Sequence, residues 1–229
     1  MHDSTSLEQS LKITFINKDI LRQALVHRSF LNENRNFPLG HNERLEFLGD
    51  AVLELVVTEY LYLHFDNPEG ELTNWRAAMV NAKTLSDIAE TFHIYEYLHL
   101  SRGEAKDANA KARSYILANA FEAIIGAIYL DQGWDVAKQF IADHVLSRLD
   151  DILKHKLYID PKSRFQEASQ DRMGITPHYT VLEESGPDHA KKFVIGVYLG
   201  GEMIAQGEGT SKQEAQVAAA ENALAAKGW

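Results

Sequence analysis

Apolar residues recur at three- and four-residue spacing through the first two thirds of the chain, which is the pattern of amphipathic helices. Turn signals rich in Asn, Gly and Pro separate these stretches, and no strong strand pattern precedes residue 150. The helical stretches are LEQSLKITF, KDILRQALVHRSFL, RLEFLGDAVLELVVTEYLYLHF, LTNWRAAMVNAKTLSDIAETF, RSYILANAFEAIIGAIYLD and DVAKQFIADHVLSRLDDILK. This part of the sequence predicts an all-α fold.

The pattern changes after Lys154. A helix is predicted over Pro161–Met173, because proline is favoured in a first helical turn. Strand-like alternation follows at His178–Glu183, Lys192–Leu199 and Met203–Glu208, with glycine-containing turns between the runs. An alanine-rich helix over Ser211–Lys227 closes the chain, with Thr210 or Ser211 as its N-cap.

Two domains are therefore expected. Residues 1–152 form an all-α domain, residues 153–159 a linker, and residues 160–229 a small α+β domain of order α-β-β-β-α. The hydrophobic fraction of 45% and charged fraction of 24% are typical of soluble globular proteins. No apolar run approaches the roughly 20 residues that span a bilayer, and the N-terminus lacks the pattern of a secretory signal. There is no cysteine, which fits a cytoplasmic protein.

Negative charge is concentrated in the first domain. Residues 1–152 hold 14 Lys and Arg against 23 Asp and Glu, a balance of -9. Residues 153–229 hold 9 Lys and Arg against 10 Asp and Glu, a balance of -1. The net charge of the whole chain is -10. The excess acid is either a solvated surface or is gathered to hold cations.

Four acidic residues follow one face of the third predicted helix. At about 100° per residue, Glu43, Glu46, Asp50 and Glu54 fall within roughly 80° of arc. A solvated face is the ordinary explanation. The remaining circumference is largely apolar, however, which favours a buried helix, and carboxylates on a buried helix need partners. Because only Arg44 lies within the length of the stripe, a bound cation is the simplest partner.

The helix over Tyr115–Leu130 repeats the arrangement. Its strongly polar side chains are Asn119 and Glu122, three residues apart and so on one face. Gly126 and four alanines allow another helix to approach closely. Either these polar groups are satisfied within the core, or they face the acidic stripe across a helix pair. All-oxygen ligands suit Mg²⁺, which can activate water and stabilise charge on a phosphodiester.

A di-iron bundle is the competing metal site, because it uses Glu-x-x-His motifs. Glu90 with His93 and Glu96 with His99 have this spacing. A di-iron site needs its two motifs on separate helices, and these pairs are only six residues apart. They therefore cannot lie on opposite walls of one site.

The segment NERLEFLGDAV, residues 42–52, resembles the signature of the bacterial ribonuclease III family. Residues 24–30 and 117–126 match further family segments, and the C-terminal part resembles the family's double-stranded-RNA-binding domain. The resemblance implies an all-α endonuclease domain that forms a homodimer, followed by that RNA-binding domain. It also implies an endoribonuclease that hydrolyses double-stranded RNA with Mg²⁺ (Mn²⁺ substituting) and no organic cofactor.

The same resemblance implies products and roles. Each subunit would cut one strand and leave 5′-phosphate and 3′-hydroxyl ends with short 3′ overhangs. The substrates would be precursors of ribosomal RNA, with messenger and transfer RNA precursors as further candidates. Glu46, Asp50 and Glu122 match metal ligands, the last two closest to catalysis. Glu43 and Glu69 match further acidic positions near the site. Phe47 matches a residue that packs across the dimer interface.

Position 119 departs from the family, because Asn stands where many members carry Asp. An Asn carbonyl oxygen can coordinate a metal but adds no negative charge. Weaker Mg²⁺ binding is therefore expected. The alternative is a catalytically weak or inactive protein that binds double-stranded RNA.

Three regions resemble the RNA contacts of the family. Ser163, Gln166 and Glu167 would face one minor groove, where duplex RNA is recognised by its shape. The turn containing Pro187 and His189 would reach a second groove. Lys212, at the start of the last helix, suits phosphates.

Overall fold

The computed structural model describes residues 4–107, 109–187 and 191–229, and its chain divides into two compact units, Met1–His155 and Lys156–Trp229. In the described part of the first unit, regular structure is helical apart from one isolated bridge between Val26 and His99. Its helices are α1 Ser4–Leu11, α2 Lys18–Ala24, α3 Arg28–Glu33, α4 Glu43–His64, α5 Glu69–Val80, α6 Ala82–Thr91, α7 Ala110–Gln132, α8 Trp134–His144 and α9 Leu149–Lys154. The all-α prediction is confirmed.

Some stretches predicted as single helices are interrupted by capping residues. Asn81 ends α5 and begins α6, because its Oδ1 accepts from the Thr84 N–H at 2.9 Å and its Nδ2 donates to the carbonyl of Ala78 at 2.9 Å. His27 similarly separates α2 from α3, its Nδ1 accepting from the Ser29 N–H at 3.3 Å. Apolar spacing continues across both breaks, so periodicity alone could not reveal them.

The second unit has the predicted α-β-β-β-α order. It consists of α10 Pro161–Met173, β1 His178–Ser185, β2 Lys192–Leu199, β3 Glu202–Gly209 and α11 Lys212–Lys227. The strands form an antiparallel sheet in the order β1-β2-β3. Phe165 and Ala219 are fully buried where the helices meet the sheet. Ser211 is the N-cap of α11, accepting from the Glu214 N–H at 3.1 Å.

The two longest helices differ in burial. α7 buries most of its central residues, whereas α4 buries only part of its apolar surface. Phe47, Leu55, Tyr62 and Leu63 of α4 are 80%, 56%, 77% and 65% exposed. The prediction that α4 is mostly buried is therefore wrong for a single chain. In the described residues, no helix is both long enough and apolar enough to cross a membrane.

His144 makes the stability of the first unit sensitive to acid. Its ring lies 4.9 Å from the ring of Phe92 and 4.7 Å from that of Phe140. Burial lowers the pKa of His144, so the unfolded chain takes up a proton more readily than the folded one. The resulting stabilisation is complete above the ordinary pKa of 6.5 and is lost as the pH falls below it.

We expect His144→Leu to reduce the loss of stability that occurs as the pH falls below about 6.5. Leucine keeps apolar contacts with the two rings but cannot be protonated. Urea unfolding of wild type and variant across this range measures the difference. Parallel curves for the two proteins would contradict the role given to His144.

Candidate metal centre and RNA-binding surface

Two glycines bring α4 and α7 into backbone contact. A Cβ atom placed on Gly49 would lie 1.8 Å from the carbonyl oxygen of Glu122. One placed on Gly126 would lie 2.2 Å from the carbonyl oxygen of Leu45. The sequence indicated close approach at Gly126 but gave no such indication for Gly49. The crossing point places the acidic face of α4 beside Glu122.

Glu122 is at the electrostatic centre of this crossing. Burial, followed by the charges of Asp50, Glu46 and Glu54, raises the pKa of Glu122 to about 8. The carboxyl group is therefore largely protonated at neutral pH when only protein groups surround it. Asp50, Glu46 and Glu54 of α4 are thus the acids whose charges act on Glu122, and their sharing of a metal ion with it stays a prediction.

The pKa values of the neighbouring acids Glu46 and Asp50 are raised as well. Burial, then the charges of Glu43 and Asp50, raises the pKa of Glu46. Burial and the charge of Glu54 raise the pKa of Asp50, whose side chain is exposed. Glu54 belonged to the predicted stripe but was not predicted as a site residue. Its spacing of four residues from Asp50 was the available signal.

The oxygen groups at the crossing are suited to a hydrated divalent cation. Among the described residues, no Lys, Arg or His forms an ion pair with Glu46, Asp50 or Glu122. In the same residues, no group of three or more His, Cys, Asp and Glu side chains lies close enough together to hold a metal ion. Mg²⁺ commonly keeps several of its waters when it binds protein oxygens, so open oxygens on two facing helices suit it.

Asn119 completes the predicted ligand set from α7. It is partly buried, one helical turn before Glu122. Its side chain makes no hydrogen bond to another described residue, which leaves its carbonyl oxygen available. Because an amide is neutral, it does not add to the repulsion that raises the pKa of Glu122.

Glu43 differs from the other acids because it has cationic neighbours. The Nη1 atom of Arg28 lies 3.2 Å from its Oε1, and the Nδ1 atom of His41 lies 3.7 Å from its Oε2. Glu43 is the first residue of α4. It therefore extends the acidic face while being tied to α3 and to the loop before α4.

Asn42 was not predicted to have a role, but it fixes the start of α4. It is 3% exposed, and its Nδ2 donates to the carbonyl oxygen of Ala24 at 3.2 Å. Its backbone N–H donates to the carbonyl oxygen of Val26 at 2.9 Å. These bonds position the first turn of α4, which carries Glu43 and Glu46.

Glu69 is not brought to the crossing within one chain. It begins α5 and lines a surface cavity of about 710 Å³ together with Tyr62 and Arg76. With a rise of 1.5 Å per residue, the helix separates Glu46 from Tyr62 by roughly 24 Å. Within one chain Glu69 therefore lies away from the crossing, because α4 runs on as one helix before the chain turns, and its expected role near the site stays a prediction.

Phe47 lies on an exposed apolar strip beside the acidic face. At about 100° per residue, Phe47, Ala51, Leu55 and Tyr62 fall within roughly 80° of arc. All four are exposed. An apolar strip of this kind on a helix surface marks a contact site.

The predicted RNA contacts of α10 share one exposed face. Ser163, Gln166 and Glu167 are exposed and follow three- and four-residue spacing. Asp160 caps the helix by accepting from the N–H of Ser163 at 3.2 Å. Pro187 is exposed, whereas His189 lies outside the described residues.

Lys212 is the first residue of α11. Its Nζ atom lies 5.7 Å from the centre of the Phe193 ring and 3.9 Å from Oε2 of Glu184. Its position beside the positive end of the helix dipole suits an anion such as a phosphate.

Known protein families match each of the two units of the chain separately. A family model described as Ribonuclease-III-like matches residues 17–149, and one for the double-stranded RNA binding motif matches residues 161–227. The chain is 44% identical to Ribonuclease 3 of Chloroflexus aurantiacus, over 96% of this chain and 90% of that protein. It is 42% identical to Ribonuclease 3 of Enterococcus faecalis, over 96% of each.

A solved structure is similar to the first unit. The nuclease domain of ribonuclease III from Campylobacter jejuni has a TM-score of 0.57 and 41% identity, covering 65% of this chain and 97% of that chain. Another crystal structure of that domain, with a TM-score of 0.55 and 41% identity, covers 62% of this chain and 98% of that chain. Its description refers to a region involved in dimer formation. These matches confirm the family resemblance found in the sequence.

Proposed function

Because the chain belongs to the ribonuclease III family, we propose that it is a Mg²⁺-dependent endoribonuclease that hydrolyses double-stranded RNA. Glu122 is surrounded by the negative charges of Asp50, Glu46 and Glu54 without a cationic partner among the described residues. Such repulsion is unfavourable unless the site serves a bound cation.

Glu46, Asp50, Asn119 and Glu122 would hold the metal. When bound, Mg²⁺ supplies an activated water and stabilises charge on the phosphodiester. Mn²⁺ prefers similar oxygen ligands and can substitute. No organic cofactor is required.

The protein groups orient this chemistry. The contact between Gly49 and the Glu122 backbone fixes the spacing of Asp50 and Glu122, the two acids closest to catalysis. Glu43 adds negative potential and, through Arg28 at 3.2 Å, remains oriented at the start of α4. The products carry 5′-phosphate and 3′-hydroxyl ends with short 3′ overhangs.

A homodimer would place two such sites on one duplex, with each subunit cutting one strand. The exposed strip around Phe47 supports self-association, because a side chain 80% exposed gains from burial against a partner. A nuclease domain 41% identical to this chain is described as having a region involved in dimer formation.

We expect Phe47→Ala to weaken the dimer roughly 10- to 100-fold, the loss typical of a central aromatic contact. Analytical ultracentrifugation over a dilution series measures this. Ile16→Ala is the matched control, because Ile16 is 83% exposed but is not on α4. If Phe47→Ala and Ile16→Ala leave the same dissociation constant, Phe47 is not an interface residue.

The second unit would bind the duplex by shape and phosphate contacts. Ser163, Gln166 and Glu167 would face a minor groove, and Pro187 with His189 a second one. Lys212 would contact phosphates between them. Ribosomal RNA precursors, with messenger and transfer RNA precursors, are the proposed substrates in the cytoplasm.

Asn119→Asp is expected to lower the Mg²⁺ concentration needed for half-maximal cleavage by several-fold, because it adds a negative charge to the ligand set. A Mg²⁺ titration of the cleavage rate measures this. Asn74→Asp adds the same charge at an exposed position of α5 and should leave the requirement unchanged. Saturation of the wild type at a lower Mg²⁺ concentration than Asn119→Asp would contradict the prediction.

Incubation with labelled duplex RNA, in Mg²⁺ or in EDTA, tests the proposed function. Cleavage in Mg²⁺ that stops in EDTA is expected. Cleavage that persists in EDTA would exclude the metal mechanism. Binding without cleavage in either condition would favour the alternative, a protein that only binds double-stranded RNA. The neutral Asn119 is the residue that favours this alternative, because it adds no negative charge to the ligand set.

A further inference from the structure

Glu184 lies at the end of β1 between two lysines of the second unit. Its Oε1 accepts a hydrogen bond from Nζ of Lys191 at 2.9 Å, and its Oε2 lies 3.9 Å from Nζ of Lys212. Each carboxylate oxygen thus faces a different ammonium group. Lys191, and to a smaller extent Lys212, lower the pKa of Glu184, so the carboxylate stays ionised.

Lys212 is proposed to bind RNA phosphates, and Lys191 contacts the same carboxylate as Lys212. Lys212 begins α11, and Lys191 directly precedes β2. Because duplex RNA is held chiefly through its phosphates, an RNA strand at this surface needs the ammonium groups that Glu184 already contacts. A phosphate and the Glu184 carboxylate are both anions and cannot share these groups without repulsion.

We propose that Glu184 is an internal competitor of RNA: its carboxylate occupies Lys191 and Lys212 and thereby weakens duplex binding. The inference rests on the proposed function of the second unit. It matters in this chain because residues 153–229 hold only 9 Lys and Arg against 10 Asp and Glu. Two of these nine cations contact Glu184 in the free protein, which lowers the attraction left for phosphates.

The chain offers a matched control for this competition. Glu183 is the neighbouring residue of β1, and its removal changes the net charge equally. Unlike Glu184, it forms no ion pair with another residue in the described ranges. A general effect of negative charge would appear in both variants, whereas competition for the lysines would appear only at Glu184.

Duplex RNA binding by the full chain in EDTA tests the proposal without cleavage. Glu184→Gln should bind about three- to tenfold more tightly than Glu183→Gln at low salt, with a steeper dependence of affinity on salt. The difference should shrink as salt screens the exposed charges. In a Lys191→Gln/Lys212→Gln background, Glu184→Gln should no longer strengthen binding.

Equal affinities of Glu184→Gln and Glu183→Gln would overturn the inference, as would weaker binding by Glu184→Gln. A gain that persists without the two lysines would overturn it as well. In each of these outcomes the wild type still binds duplex RNA, so the proposed function is not contradicted. If the folded wild type and every variant fail to bind duplex RNA, the proposed function of this unit fails, and the inference fails with it.

Discussion

Glu122→Gln is expected to lower the rate of duplex cleavage by about 10³-fold or more, the scale of losing a group that acts directly in catalysis. Glutamine keeps the size of the side chain but removes the charge at the centre of the acidic cluster. Single-turnover cleavage at saturating Mg²⁺ measures the loss. Duplex binding should be unchanged, because the proposed RNA contacts of the second unit are separate residues.

The same substitution should stabilise the metal-free protein. The pKa of Glu122 rises from 4.5 to about 8 on folding, so its ionisation opposes folding, and stability falls as the pH rises through this interval. Glu122→Gln removes that loss and should add ~1–3 kcal/mol at neutral to mildly alkaline pH, the range being reduced for partial solvation. A variant that is both inactive and less stable in EDTA would contradict this account of Glu122.

Gly49→Ala is expected to destabilise the first unit by about 3 kcal/mol or more, because overpacking against a rigid backbone cannot be relieved by a side-chain rotation. The added Cβ would lie 1.8 Å from the Glu122 carbonyl oxygen and 2.9 Å from the Gly126 nitrogen. α4 and α7 must therefore move apart. Thermal unfolding in EDTA measures the loss, and cleavage should fall by roughly 10²-fold as Asp50 shifts from Glu122.

Gly70→Ala is the control for Gly49→Ala, because it also replaces a glycine within a helix. Gly70 lies in α5, and a Cβ there would have no neighbour within 4 Å. Alanine should raise stability slightly, by roughly 0.5–1 kcal/mol, because it restricts the unfolded chain. If Gly49→Ala were as stable as Gly70→Ala, the close helix crossing would be refuted.

The helix pair at the site could be predicted because two sequence signals agreed. Glu46 and Asp50 shared one face of α4, and Glu122 was an isolated acid in an apolar helix with Gly126 nearby. Residues three and four apart lie on one helix face whatever surrounds them. The acids of each helix can therefore be recognised from the sequence without knowledge of the helix crossing.

Long-range placement could not be obtained in the same way. The sequence pattern gave no sign that Gly49 meets the Glu122 backbone, or that Glu69 lies at the far end of α4. Phe47 and Leu55 have the spacing of buried residues, yet both are exposed in one chain. Hydrophobic periodicity identifies an apolar face but not whether another helix or a second subunit covers it.

The measurement closest to the central claim is a crystal structure of the protein with Mn²⁺, using anomalous scattering to locate the ion. We expect a Mn²⁺ peak coordinated by oxygens of Glu46, Asp50 and Glu122, with Asn119 as a neutral contributor. A well-diffracting crystal with Mn²⁺ present but no peak between α4 and α7, or with the ion bound elsewhere, would contradict it.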